Sequence, residues 1–116
     1  MKTTILRDGE RYFGVDIQPD GSLIVYERAN GRNESHARYP SGAAGVQALR
    51  RRIEHTQSHP HVCIRACGAA ALTLMSALVP VRGMEVTLVS PRAIESTAAD
   101  PEQRAERLAR LAERLF

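Results

Sequence analysis

The chain has 116 residues, 43% of them apolar, enough for one hydrophobic core and too few for separate catalytic and binding domains. Sixteen basic and thirteen acidic residues leave a formal charge of +3, a mild excess that selects no partner by itself. No apolar run approaches the roughly 20 residues needed to span a bilayer, and the first eight residues lack a signal-peptide apolar region, so no membrane association and a cytoplasmic location are expected.

Arginine supplies almost all the positive charge, Lys2 being the one lysine. That bias fits a GC-rich genome, and it also fits phosphate recognition, for which the guanidinium is the better fork.

Residues 11–17 read as a strand that ends in the turn signal Gln18-Pro19-Asp20-Gly21. Ser22 to Arg28 makes a second strand and closes a hairpin. Asn30-Gly31-Arg32-Asn33 is a turn of the type hairpins favour, and Glu34 to Tyr39 is a polar third strand expected at or near an edge. Pro40-Ser41-Gly42 breaks the pattern, with Ser41 the expected helix cap. From Ala43 to about Thr56, Val46, Leu49 and Ile53 recur at helical spacing, with Arg50, Arg51 and Arg52 mostly on the outer face.

Val62 to Ala66 is apolar on both faces except at Arg65, the pattern of a central parallel strand. Gly68 opens a second helix, expected over 69–81, and Met84 to Val89 is a fifth strand. The last helix has a clear start: Asp100 as cap, Pro101 at the first helical position and Gln103 at the third. It runs to Phe116, with Ala105, Leu108, Leu111, Ala112 and Leu115 on one stripe. That stripe suits packing on the sheet, or a homodimer seam over two turns.

The order βββαβαβα, a three-strand meander feeding two right-handed crossovers, predicts one α/β domain over 1–116. Its expected form is a mixed five-stranded sheet of the ribonuclease-H-like type, with helices on both faces and an amphipathic C-terminal helix over 100–116. Cys63 and Cys67 lie four apart in a strand, roughly 13 Å, beyond disulfide reach, so free thiols are expected.

Gly14-Val15-Asp16-Ile17 resembles the first-strand motif of the DEDD transposases, the Piv/MooV insertion-sequence recombinases with a RuvC-like nuclease domain. His61-Val62-Cys63-Ile64-Arg65-Ala66-Cys67-Gly68 is similar to that family's fourth strand, and Val86-Thr87-Leu88-Val89-Ser90-Pro91-Arg92 to its fifth. Pro40 to Leu49 is similar to its first helix and cap. In that family four carboxylates hold two divalent metals that act on a phosphodiester.

Carried over by position, Asp16 matches the first acid, and Arg65 stands where a Glu belongs. Asp100 matches the third acid only with a small register shift, and the fourth position falls at Gln103 or Arg104. The resemblance therefore implies a remnant catalytic set of Asp16 and Asp100. An Asp16–Arg65 ion pair is expected in place of a metal, with no cofactor unless Mg²⁺ serves an active-nuclease alternative.

The expected function is a RuvC-like domain that no longer cleaves and binds DNA, structured RNA or a recombination partner. Arg50, Arg51, Arg52, Arg65 and Arg92 are its candidate phosphate contacts. A structural or regulatory interaction module that keeps only the fold is the alternative.

Overall fold

The computed structural model describes residues 10–56, 59–66, 68–81, 83–93 and 100–115, so the expectations for Cys67 lie outside it. Its strands are β1 (Glu10–Ile17), β2 (Leu23–Ala29), β3 (Arg32–Tyr39), β4 (His59–Arg65) and β5 (Glu85–Val89). Its helices are α1 (Ala43–His55), α2 (Ala69–Leu78) and α3 (Pro101–Leu115). They form one mixed sheet in the order β3-β2-β1-β4-β5, the ribonuclease-H-like arrangement. β1, β2 and β3 pair antiparallel, while β4 pairs parallel with both β1 and β5.

The period-2 alternation of β1 divides the core. Phe13, Val15 and Ile17 face the α1–α2 side with Leu23, Val25, Leu49, Ile53, Leu74 and Leu78. On the opposite face Tyr12 and Cys63 pack with Leu108 and Ala112 of α3. Full burial of a side chain such as Leu108 contributes about 1.5–3 kcal/mol. No helix among the described residues is long and apolar enough to cross a membrane.

Local chemistry sets the boundaries. Asn30 (φ 56°) and Gly31 (φ 78°) are both left-handed, as a two-residue hairpin turn of the primed type requires. β3 is the exposed edge that its polar sequence predicts. The cap of α1 differs from expectation: Gly42 (φ 86°), rather than Ser41, is the N-cap, and no side chain bonds the first turn. Gly45 packs so tightly on Pro40 that a Cβ there would lie 1.7 Å from the Pro40 carbonyl oxygen. The chain must therefore reverse at Gly42, where only glycine takes the needed φ without strain.

The buried stripe of α3 is Ala105, Leu108, Ala109 and Ala112, and Leu115, expected on it, is exposed. The small residues have a reason. A Cβ on Gly14 would stand 2.1 Å from the Ala105 oxygen and 2.3 Å from the Ala109 nitrogen. Helix backbone and strand backbone thus meet directly, and Ala105, Leu108, Ala109 and Ala112 pack on the sheet.

Candidate functional site

β1 carries Asp16 to its penultimate position, on the α3 face, where the side chain is completely buried. Arg65 is the last residue of β4, the parallel neighbour of β1, and its Nε donates to Asp16 Oδ1 at 2.7 Å. The pairing expected from the sequence is present. A second guanidinium joins it from the first turn of α3: Arg104 donates from Nε to Oδ1 at 3.2 Å and from Nη2 to Oδ2 at 3.3 Å. Gln18 Nε2 completes the set, donating to Oδ2 at 2.6 Å.

A carboxylate offers about four lone-pair positions, and four donors meet this one. Two guanidiniums meet one carboxylate in a node that is mostly shielded, with 15% and 16% of the arginine side chains exposed. A divalent metal needs several oxygen donors of negative charge. Among the described residues no three His, Cys, Asp or Glu side chains converge as such a set. The described residues around Asp16 do not fit Mg²⁺.

The other expected site residues are dispersed. Asp100 caps its own helix: its Oδ1 accepts the Glu102 N–H at 3.0 Å and its carbonyl accepts the Arg104 N–H at 2.9 Å. That cap orients the turn from which Arg104 reaches Asp16. Arg51 is exposed and Arg50 half-buried on α1, with Arg50 Nε 3.5 Å from Glu54 across one turn. Arg92 is exposed in the 3-10 turn Pro91–Ala93, just past β5.

Arg52, expected on the outer basic face, instead turns to the sheet. Its Nη2 lies 2.8 Å from Oε1 of the buried Glu27, which also accepts from Arg11 Nη1 (2.8 Å) and Ser35 Oγ (3.1 Å). The reason is helical phase: position 52 is three residues from Leu49 and seven from Gly45, both buried.

Sequence reasoning missed Glu27 and a third buried ion, Arg28. Arg28 donates to Glu113 of α3 (3.1 Å), Asn33 (2.8 Å) and the Gly31 carbonyl (2.8 Å). The signal was available for Glu27, which continues the inward alternation of Leu23 and Val25. Cys63 is buried, and burial pushes its thiol up to about 11, away from reactivity.

Because β1, β3, β4 and β5 run the same way, their carboxyl ends share one edge. The N-termini of α1, α2 and α3 lie at that edge. The chain leaves β1 toward β2 on one side, while β4 joins it on the other, so Asp16 and Arg65 sit at the switch point where α/β sheets commonly bind ligands. Searched against protein-family models and the sequences of curated proteins, the chain matches none.

Proposed function

We propose that this domain is a RuvC-like, transposase-related domain that binds nucleic acid and does not cleave it. One observation carries the reading. The carboxylate matching the first catalytic acid is saturated by Arg65, Arg104 and Gln18, and two of these donors stand at or beside positions where the resembled family carries acids.

Guanidinium groups in place of carboxylates remove the means of holding two metals. Phosphates are met by arginines and by helix N-termini. The carboxyl edge has both, through Arg65, Arg104 and Arg92 and through the starts of α1 and α2, which have no acidic residue in their first turns.

A fluorescence-anisotropy titration with labelled branched DNA and structured RNA tests the reading. Binding at ~50 mM salt should weaken steeply as salt rises, because released counterions drive it. Mg²⁺ should release no cleavage product. Cleavage that depends on Asp16 would overturn the reading, as would absence of binding to any nucleic acid.

A second reading, an interaction module, draws on α2. That helix carries no charged residue, and Leu72 and Val79 are 52% and 58% exposed. Uncharged apolar surface of this kind marks protein contacts. It predicts a partner on α2 and no dependence on salt.

A further inference from the structure

On the sheet face opposite α3, a cleft of about 520 Å³ lies between α1 and α2, inside the roughly 300–1,000 Å³ range of small-molecule sites. Both helices start at the carboxyl edge, so the cleft runs between two helices of the same direction. α1 lines it from Ala43 to Arg50 and α2 from Ala70 to Ala77, about 10 Å along each helix.

Its cross-section is amphipathic. Ile17, Leu23 and Leu74 are buried and form its inner side. Gln47 and Thr73 are exposed at its rim, with Arg50 beside them, 40% exposed. Apart from Val46, the other lining residues are glycine or alanine, so no bulky side chain fills the space.

Two properties of the lining select an occupant. No aromatic ring is present, so the apolar part offers aliphatic contact and nothing on which a ring could stack. Among the described residues Arg50 is the one charged group that lines the cleft. Its ion-pair partner, Glu54, stands one turn further along α1 and lines a neighbouring depression instead. That pair is 3.5 Å long and open to water, against roughly 2.7–2.9 Å for a charge-assisted hydrogen bond. The guanidinium fork is therefore available to a second carboxylate. Gln47, one turn before Arg50 on the same helix face, adds an amide donor.

A single cation beside an aliphatic trough matches an amphipathic monoanion. A cationic amphiphile would meet the like charge of Arg50, and a neutral one would leave the guanidinium unused. We propose that the cleft binds a straight-chain aliphatic carboxylate of medium length. Its carboxylate meets the Arg50 guanidinium and the Gln47 amide, and its chain lies along Ile17, Leu23, Val46 and Leu74. The site is independent of the nucleic-acid reading, which draws on Arg65, Arg104 and Arg92.

The test is an NMR chemical-shift titration of the ¹⁵N-labelled chain with three probes: octanoate, hexanoate and 1-octanol. Octanoate should give saturable shifts at Gly21, Val46, Gln47 and Thr73. Each buried methylene multiplies affinity by about fourfold, so hexanoate should bind on the order of tenfold more weakly. 1-Octanol keeps the chain and loses the ion pair, which at a half-exposed site is worth up to about fivefold. Arg50→Gln should weaken octanoate by the same factor and leave 1-octanol unchanged. Circular dichroism checks the fold of the variant, and the octanoate and 1-octanol comparison on the unaltered protein decides the matter if it does not fold.

Octanoate and 1-octanol bound alike, or weakened alike in folded Arg50→Gln, would overturn the assignment of an anion. Octanoate shifts confined to Leu72 and Val79 on the exposed face of α2, or no saturable shift at millimolar concentration, would overturn the site itself. Neither result bears on nucleic-acid binding.

Discussion

Replacing Asp16 by asparagine keeps the shape of the side chain and removes its charge. Arg65 and Arg104 then share a neutral amide whose one oxygen accepts where two accepted before. Breaking a buried ion pair from one side costs about 3–5 kcal/mol. The carboxylate is wholly buried, but both guanidiniums keep some access to water, which places Asp16→Asn at the lower end, about 3 kcal/mol.

In a domain of this size that loss lowers Tm by roughly 12 °C, at about 4 °C per kcal/mol. Arg65→Gln is milder, about 1.5 kcal/mol, because Arg104 and Gln18 still serve the carboxylate. Urea unfolding followed by circular dichroism measures both, and the double variant closes a cycle with an expected Asp16–Arg65 coupling of about 1–2 kcal/mol. An Asp16→Asn protein within about 0.5 kcal/mol of the parent, with an unchanged m-value, would refute the claim that this carboxylate is held by its cations.

The remaining predictions are shorter. Gly14→Ala drives a methyl group into the α3 backbone, so unfolding should show a loss of about 3 kcal/mol or more, the upper end of overpacking. With Cys67→Ser in the background, Cys63 should resist iodoacetamide at pH 8 in the folded protein and react fully in urea. Since its folded pKa of about 11 exceeds the ordinary 9.0, its contribution is complete below pH 9 and lost as pH climbs toward 11. Urea midpoints at pH 8 and 10.5 should therefore differ less in a further Cys63→Ala variant. Arg65→Glu combined with Arg104→Asp surrounds Asp16 with carboxylates, and Mn²⁺ should then raise Tm in the variant and not in the parent. An equal response in both would show that the cations do not set metal preference.

Periodicity carried most of the architecture. The single cation in an otherwise apolar fourth strand marked both the position of β4 and the partner of Asp16. Two signals were weaker. Ser41 has the chemistry of a cap, and what displaces it is a backbone contact between Gly45 and Pro40 that a linear pattern does not contain. Arg104 lies 88 residues from Asp16, and its role depends on how closely α3 approaches β1. Gly14 and the alanines of α3 permit that approach, but their spacing alone does not reveal it. Glu27 and Arg28 were legible as charged residues on strand β2, yet their partners come from elements whose docking angle is set by packing.

The energetics of the Asp16 node bear on why it persists. A buried ion cluster seldom stabilises a fold more than apolar residues of the same volume would, so stability alone does not account for two arginines on one aspartate. Position does. The apolar contact of α3 with the sheet is made largely by alanines, which would tolerate a slide along the helix axis. A slide of one turn, about 5.4 Å, would separate Arg104 from Asp16, Glu113 from Arg28 and Glu106 from Asn33 together. These polar contacts fix the register of α3, and the cost of leaving any buried ion unpaired enforces it.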